Sequence, residues 1–472
     1  MNKLLLPLCL FHLFTLQLMA QSFVGSWQGV LEVQGIKLRL VFHISQTDGQ
    51  YTSLLDSPDQ GATGIPTSET RVAGDSLFIS ADALRLAYRG KLAAGGKRIT
   101  GTFSQGSVVQ QLELERTGEA ELAAAAPKRP QEPRPPFPYL EEEVQFQNEA
   151  AGIQLAGTLT LPKGPGPHRV AVLISGSGPQ NRDEEILGHK PFLVLADHLT
   201  RAGIGVLRFD DRGVGASEGD FASATSADFA TDVEAAVAYL RNRPEVNPQQ
   251  IGLIGHSEGG LIAPMVAAKD PAIAFVVLMA GPGLSGYHIL LQQVADINRA
   301  NGMEEQKVKQ NVKTSKKLYK IIMKSASAEA AREKALAFMK KEMAKLSDEE
   351  KAQIGDPEKF MQQQLAQLNS PWFRYFLSYD PRPALRQLSC PVLAINGSKD
   401  TQVHAGKNLK AIESALRKSA SPHYTVKELP GLNHLFQTAE TGAPTEYAQI
   451  EETMAPIALE TIAEWILALA KT

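Results

Sequence analysis

One serine lies in a stretch whose residue types and spacing suit nucleophilic catalysis. Ser257 is the centre of Gly255-His-Ser-Glu-Gly259, a G-x-S-x-G sequence. The apolar run 251–254 before it is typical of a buried strand, and the Ala- and Leu-rich run 261–268 after it is typical of a helix. A serine at such a turn is strained and requires small neighbours, which the glycines supply. The pattern predicts an exposed Ser257 hydroxyl at a helix N-terminus, where the backbone N–H of Glu258 can stabilise an oxyanion.

A second G-x-S-x-G sequence, Gly215-Ala-Ser-Glu-Gly219, makes Ser217 a rival nucleophile. The charged run Asp210-Asp-Arg212 separates it from the preceding apolar run, and a loop-like stretch follows it in place of a helix. The same glycines match a dinucleotide-binding loop only weakly, because the third glycine of that motif is misplaced. We therefore interpret Ser217 as a loop serine.

A serine hydroxyl needs a base to take its proton, and the base needs a third group to hold it. The strand, turn and helix around Ser257 resemble the nucleophile turn of α/β-hydrolases, and this resemblance implies that the acid and then the histidine follow the serine along the chain. Asp400 follows the apolar run 392–395 and a glycine turn. His434 lies in a loop-like stretch after the strand-like run 424–428. We predict that Asp400 and His434 complete the catalytic set.

Two other histidines, His404 and His423, also follow the serine. His404 is too close to Asp400 in sequence to come from a separate loop. His423 precedes its strand, where a catalytic histidine is not expected. His434 is therefore the better candidate for the base.

The second oxyanion donor is expected in the loop after the apolar run 170–174. That loop contains Gly176-Ser-Gly178, and glycines let a backbone N–H approach a substrate closely. We predict Ser177 and Gly178, together with Glu258, as the oxyanion-binding residues.

From residue 139 on, apolar strand-like runs alternate with helical runs. This alternation predicts an α/β fold with a mostly parallel sheet and helices on both faces. Residues 285–380 interrupt it with a helical composition rich in Lys, Glu and Gln. An insertion at this point would lie above the carboxyl ends of the strands, where substrates enter such folds. We predict that it forms a helical cap.

The most aromatic stretch of the chain returns from this cap to the sheet. Its side chains could line a substrate pocket, because pocket walls are usually apolar. They could equally anchor the cap as ordinary core. The two alternatives stay open for Trp372, Phe373, Tyr375 and Phe376.

The N-terminal part of the chain has a different composition. Lys3 and the apolar run 4–18 predict a secretory signal peptide over residues 1–20, and hence a periplasmic or secreted protein. Residues 22–117 contain short strand-like runs separated by Gly and Asp turns, which predicts a small all-β, barrel-like domain. Residues 118–138 are rich in Ala and Pro and predict a semi-stiff linker.

Composition limits the partners. The net charge of -3 argues against a nucleic acid held by phosphate contacts. The N-terminal apolar run is too short for a convincing membrane span. The sequence has no His, Cys and Asp cluster with zinc-site spacing, and the expected chemistry needs no metal or cofactor. We expect a small-molecule substrate, and nothing in the sequence indicates an oligomeric state.

Residues 139–472 resemble serine carboxylesterases of the α/β-hydrolase superfamily, and in particular exported bacterial esterases related to the prolyl-oligopeptidase and dienelactone-hydrolase branches. Gly25-Ser-Trp-Gln-Gly29 resembles the opening of lipocalin-like barrels, in which the tryptophan closes one end. The esterase resemblance is carried by Ser175-Gly-Ser-Gly-Pro-Gln-Asn-Arg-Asp183, Phe209-Asp-Asp-Arg-Gly-Val-Gly-Ala-Ser217, Gly255-His-Ser-Glu-Gly-Gly260, Asn396-Gly-Ser-Lys-Asp400 and Leu432-Asn-His-Leu-Phe436.

The resemblance implies Ser257 as nucleophile, Asp400 as acid and His434 as base, acting on short-chain acyl esters. Ser175 stands where many lipases have the histidine of their His-Gly oxyanion motif, so the identity of the second oxyanion donor is open. A peptidase of the same fold is an alternative, although residues 22–117 are too few to form the propeller that gates peptides in some relatives. A ligand-binding protein in which the β-domain carries the function is an alternative from another class.

Overall fold

A computed structural model describes residues 22–33, 36–60, 62–106, 108–118, 120–122, 128–347, 351, 354 and 356–469. The predicted signal peptide, residues 1–20, lies outside the described residues. The chain forms two compact units, one of residues 1–57 and 63–125 and the other of residues 58–62 and 126–472. Within the described part of the chain, no helix has both the length and the apolar character needed to cross a membrane.

The N-terminal unit is built from one β-sheet. Its strands in the described residues are β1 (Gly25–Val33), β2 (Ile36–Thr47), β3 (Gln50–Ser57), β4 (Ala62–Pro66), β5 (Glu69–Ala73), β6 (Ser76–Ala81), β7 (Leu86–Leu92), β8 (Arg98–Gln105) and β9 (Val108–Thr117). They are adjacent in the order β4-β3-β2-β1-β9-β8-β7-β6-β5. The sheet curls so that Ser53 Oγ of β3 lies 2.7 Å from Thr70 Oγ1 of β5, which agrees with a barrel-like domain.

The interior of this sheet is apolar because alternate side chains of each strand face inward. Trp27 is fully buried there, among residues such as Phe42 and Tyr88. Its indole N–H donates a hydrogen bond to the Phe23 carbonyl oxygen at 2.7 Å, so the one polar atom of this large side chain is satisfied. Trp27 is therefore a core residue.

The second unit is organised around a mostly parallel sheet, as predicted. Its strands in the described chain are β10 (Leu140–Asn148), β11 (Ile153–Leu161), β12 (His168–Ile174), β13 (Gly205–Phe209), β14 (Val246–His256), β15 (Val276–Met279), β16 (Val392–Gly397) and β17 (Tyr424–Leu429). They are adjacent in the order β10-β11-β13-β12-β14-β15-β16-β17. The pairs β10–β11 and β11–β13 are antiparallel, and the pairs from β13 to β17 are parallel. The central strands are Val-, Ile- and Leu-rich because both of their faces are buried.

Helices cover both faces of this sheet. The helices of the second unit, among the described residues and including those of the cap, are α1 (Pro191–Arg201), α2 (Ser226–Arg241), α3 (Gly259–Ala267), α4 (Gly286–Ala300), α5 (Glu305–Lys324), α6 (Ala328–Met343), α7 (Pro357–Leu368), α8 (Pro371–Ser378), α9 (Arg382–Gln387), α10 (Ala405–Leu416) and α11 (Pro456–Ala468). Helices α2, α3 and α10 contribute to the core on one face, and α1 and α11 contribute to the core on the other.

The helices α4 to α9 lie between β15 and β16 in the chain, in the place predicted for the cap. Several of them share a small apolar core of their own, which includes Tyr319, Ala335, Leu365 and Leu377. This separate core explains why a Lys- and Glu-rich segment folds at all, since its charged residues need only cover the outside of the helices.

The predicted linker, 118–138, differs from its expectation in its second half. The division between the units groups the residues from 126 on with the second unit. Arg129 donates hydrogen bonds to four carbonyl oxygens of that unit, those of Leu187, Gly188, Ala448 and Ile450. A Pro-rich composition predicts an extended chain. It does not predict that the Arg129 guanidinium, which has five N–H donors, binds several carbonyl oxygens of the second unit.

Candidate active site

Ser257 lies at the turn between β14 and α3 and has a φ of 52°. This left-handed conformation is costly for a residue with a Cβ and persists only where the surroundings enforce it. The Ser257 N–H donates to the Met279 carbonyl oxygen at 2.8 Å and fixes the turn to the neighbouring strand. A Cβ on Gly255 would lie 2.0 Å from the Gly259 carbonyl oxygen, and one on Gly259 would lie 2.0 Å from that of Ile174. These two glycines are therefore required by close backbone approach.

Asp400 and His434 meet beside this turn. Asp400 follows β16 and His434 lies in the loop after β17, so two neighbouring strands deliver them to the same edge of the sheet. His434 Nδ1 lies 2.8 Å from Asp400 Oδ2, and both side chains are buried. The other oxygen of Asp400 accepts hydrogen bonds from the backbone N–H groups of Gln402 and Val403, each at 2.8 Å. The carboxylate is thus held rigidly and orients the imidazole.

Ser257 and His434 both line one cavity of about 70 Å³. The structure shows no hydrogen bond between these two side chains, both of which lie in its described part. Such contacts are often loose without substrate and tighten in the reacting complex. The lining of the cavity has both polar and apolar surface and consists of Gly176, Ser177, Gln180, Glu184, Ile186, His256, Ser257, Gln402, His434 and Leu435.

The rival residues lie elsewhere. Ser217 is buried, and its Oγ donates to the Asp210 carbonyl oxygen at 2.7 Å and accepts from the Ala156 N–H at 3.0 Å. Ser217 thus lies in a loop, as predicted, and these bonds give it a structural role. His404 directly precedes α10, and neither it nor His423 is part of the cavity wall.

The predicted oxyanion residues are placed unequally. Ser177 lines the cavity, and Glu258 directly follows the nucleophile at the start of α3. Within the described residues, no hydrogen bond engages the backbone N–H of Ser177 or of Glu258, so both amides are available to a ligand. Gly178 has a φ of 99° and is not part of the cavity wall. Its position suits a residue that shapes the loop rather than one that binds an oxyanion.

Comparison with known proteins gives the family of this chain. Residues 171–450 match the sequence model of the "Alpha/beta hydrolase family", and the match covers more than half of the chain. The chain belongs to the alpha/beta hydrolase family. The predicted fold class and the prediction of a hydrolytic enzyme are therefore confirmed.

Several individual proteins are similar to this hydrolase. Esterase EstD of Thermotoga maritima is 25% identical over 335 residues, which cover 70% of this chain and 69% of that protein. Thiohydrolase apmlB of Arthrinium phaeospermum is 32% identical over 139 residues, which cover 29% of this chain and 42% of that protein. Among solved structures, Est1E of Butyrivibrio proteoclasticus with bound ferulic acid is 16% identical, covers 70% of this chain and 100% of its own, and has a TM-score of 0.40. The Pyrococcus furiosus esterase Pf2001 is 16% identical, covers 71% of this chain and 92% of its own, and has a TM-score of 0.41.

The hydrolase also contains a buried pair beside the predicted catalytic residues that the sequence interpretation missed. Glu184 Oε1 lies 2.9 Å from Nδ1 of His256, the residue before the nucleophile. Both side chains are buried. Burial by itself would lower the pKa of the His256 imidazole, but the Glu184 carboxylate and the His434 carbonyl raise that pKa above its usual value. The one local signal for this pair was a histidine in the first variable position of the G-x-S-x-G sequence.

A second buried carboxyl lies on the other side of the nucleophile. Glu258 Oε1 accepts hydrogen bonds from Ser226 Oγ at 2.5 Å and from the indole N–H of Trp372 at 2.7 Å. Ser226 begins α2 and Trp372 belongs to α8 of the cap, so this one oxygen connects the catalytic turn with both helices. Burial raises the pKa of the Glu258 carboxyl to about 7, although the two hydrogen bonds oppose that shift.

The four aromatic residues of the cap have mostly structural contacts. Phe373 and Phe376 are buried members of two apolar cores. Trp372 stacks on Phe376 with ring centroids 5.3 Å apart, and Tyr375 stacks on Tyr379 at 5.6 Å. None of the four lines the cavity at Ser257. The pocket alternative is therefore not supported by this structure, because the apolar face of α8 is directed into the core that joins the cap helices.

Proposed function

We propose that this hydrolase is a serine esterase that cleaves short-chain acyl esters through an acyl-enzyme intermediate. The observation that carries the proposal is the buried Asp400–His434 hydrogen bond beside a strained Ser257, with serine and histidine in one cavity. A polarised imidazole next to a serine hydroxyl at a helix N-terminus is the arrangement that acyl transfer requires. The similarity to an esterase over 70% of the chain supports the same reaction class.

The proposed roles follow from the geometry. With Nδ1 bound to Asp400, His434 has its other ring nitrogen for the proton of Ser257. The Ser257 oxygen attacks the ester carbonyl, and the backbone N–H groups of Glu258 and Ser177 stabilise the oxyanion. The alcohol leaves with the proton from His434. His434 then takes a proton from water, which attacks the acyl group, and the acid is released as Ser257 regains its proton.

The size of the cavity supports a short acyl group. A volume of about 70 Å³ leaves little room for a long chain, and much of the wall is polar. A drug-sized ligand usually occupies a pocket of about 300–1,000 Å³. The proposal therefore favours acetyl and similarly small acyl groups.

Fluorophosphonate labelling tests the nucleophile directly. We expect the protein to be labelled, Ser257→Ala to lose the label, and its kcat for p-nitrophenyl acetate to fall by about six orders of magnitude. Ser217→Ala is the matched control, and it should keep the label. Retained labelling of Ser257→Ala would refute the proposed nucleophile. A series of p-nitrophenyl esters from acetate to decanoate tests the acyl preference, and aminoacyl p-nitroanilides test the peptidase alternative.

We also propose that the enzyme acts after export, on the basis of the N-terminal sequence alone. Fractionation of cells that express the full chain measures this. Recovery of the uncleaved protein from the cytosol only would contradict it.

A further inference from the structure

His256 and Glu184 form a second histidine–carboxylate pair directly beside the first. His256 is the last residue of β14 and precedes the nucleophile, and Glu184 lies in the loop that follows β12. The two are in contact at 2.9 Å, and their side chains are only 7% and 5% exposed. The His256 and His434 rings are also neighbours, with centroids 4.9 Å apart. A buried charged pair this close to a reacting centre requires a physical reason, because burial of each charge is costly.

The hydrogen bonds define the protonation of His256. Its Nδ1 faces the Glu184 carboxylate, and its Nε2 lies 3.0 Å from the His434 carbonyl oxygen. With Glu184 ionised both partners are acceptors, and only an imidazolium can then donate from both ring nitrogens. The raised pKa of His256 agrees with a charged ring whose counter-ion is Glu184.

The pair connects two loops that the reaction needs. Glu184 Oε1 accepts a second hydrogen bond from the Gly176 N–H at 2.7 Å, in the loop that carries Ser177. This bond removes the Gly176 amide from the set of oxyanion donors and leaves that of Ser177. At the other end, His256 holds the backbone of His434 itself. One buried pair thus fixes the oxyanion loop and the base loop relative to the strand that ends at the nucleophile.

Backbone strain shows how closely Glu184 is held. Its φ is 51°, a left-handed conformation for a residue with a long side chain. Such a conformation is energetically costly and persists only where other contacts enforce it. Gly176 also approaches the nucleophile closely, since a Cβ at Gly176 would lie 3.3 Å from Ser257 Cβ. Small movements of this loop would therefore alter the geometry at the reacting serine.

We propose that Glu184 and His256 are positioning residues, which set the distance between the oxyanion loop and the catalytic base. The inference rests on the proposed esterase function. It assigns to the residue before the nucleophile a role in the reaction that needs no contact with the substrate.

The remaining oxygen of Glu184 provides the competing explanation. Glu184 lines the cavity, and its Oε2 is buried without a hydrogen-bond partner among the described residues. A substrate hydroxyl could bind there, in which case Glu184 would act on substrate affinity. The two roles predict different kinetics, because uniform binding alters KM and a misplaced catalytic group alters kcat.

The test is a double-mutant cycle with Glu184→Gln, His256→Gln and the double variant. We expect each single variant to lower kcat for p-nitrophenyl acetate by about 100-fold with KM within about threefold, since a misplacement near 1 Å costs about that much. The double variant should be no slower than the slower single variant, because both changes break one unit. Glu184→Ala should lose more than Glu184→Gln, whose amide oxygen can still accept from Gly176.

A buried pair of the same kind away from the cavity wall supplies the control. Asp232→Asn weakens the Arg212–Asp232 ion pair at 2.8 Å, and it should lower the melting temperature while kcat stays within about threefold. Ser257→Ala is measured in parallel, and an active Ser257→Ala would refute the esterase proposal itself rather than this inference.

Three results would overturn the positioning role. Losses in kcat that multiply in the double variant would show that the residues act separately. A raised KM with unchanged kcat would show that Glu184 contacts the substrate. Variants that melt early but keep kcat, as Asp232→Asn should, would show a structural pair only. If the variants do not fold, nitrogen-15 NMR of the unsubstituted protein at pH 7 decides, because a His256 ring with one protonated nitrogen contradicts the bonding that the inference requires.

Discussion

The buried carboxyl of Glu258 should make the free energy of unfolding of this enzyme decrease as the pH rises. Its pKa is about 7 in the folded protein, against an ordinary value of 4.5, and burial is the main cause. Because one pKa unit corresponds to about 1.4 kcal/mol, the difference corresponds to about 3 kcal/mol. Below pH 4.5 the carboxyl is neutral in both the folded and the unfolded states. Between pH 4.5 and about 7 the unfolded chain ionises this carboxyl while the folded protein keeps it protonated, so stability falls over that range and levels off above about pH 7.

Glu258→Gln removes this titration while it keeps an oxygen that can accept from Ser226 and Trp372. We expect the variant to gain stability relative to the unsubstituted protein as the pH rises from about 4 to about 8, by about 3 kcal/mol in total. Urea unfolding at a series of pH values measures this, and the difference between the two proteins cancels the other titrating groups. Glu464→Gln, which removes an exposed carboxylate of α11, controls for the loss of one negative charge.

The outcome separates two descriptions of the site. If the difference in unfolding free energy between the two proteins does not depend on pH, Glu258 titrates as an exposed carboxyl does. The turn at Ser257 would then be accessible to water. A difference of the opposite sign would show that the bonds from Ser226 and Trp372 outweigh burial and keep Glu258 ionised. Either result would refute the reasoning.

Two further predictions concern residues whose role the structure changes or decides. Ser217→Ala should lower the free energy of unfolding by about 1–3 kcal/mol, because the substitution leaves the Ala156 amide without its buried partner, while kcat stays unchanged. Chemical unfolding measures the first quantity and a kinetic assay the second, and a large loss of kcat would contradict the structural role of Ser217. Phe373→Ala should cost about 3–5 kcal/mol and leave the preferred acyl length unchanged; a shifted preference with an unchanged melting temperature would restore Phe373 to the pocket.

The parts of the site that the sequence could predict are those encoded locally. The strand, glycine turn and helix around Ser257 are consecutive, and small residues are required there by close backbone contacts. The proximity of Asp400 and His434 could be predicted because each follows its own strand, and neighbouring parallel strands bring their loops to one edge of the sheet. The sheet could be predicted as well, because alternation of strand and helix along the chain is itself the local signature of a parallel sheet.

The parts that could not be predicted depend on contacts between distant segments. Glu184 and His256 are 72 positions apart, and no periodicity connects a loop glutamate with a strand-end histidine. The direction of the aromatic residues in α8 depends on how the cap helices pack, since an apolar helix face can cover either a core or a cavity. The hydrogen bonds of Arg129 depend on carbonyls of residues 187, 188, 448 and 450, which are distant in sequence and are brought together only when the second unit folds.

The two variable positions of the G-x-S-x-G sequence carry much of what distinguishes this site. The glycines explain how the turn is made, and they would serve any serine hydrolase of the family. His256 connects the turn to the base loop and, through Glu184, to the oxyanion loop. Glu258 connects it to the first residue of α2 and to the cap. Each connection is made by a buried charged or acidic side chain. Substitution of either residue should therefore alter the position of Ser257, even though neither side chain is needed to form the turn.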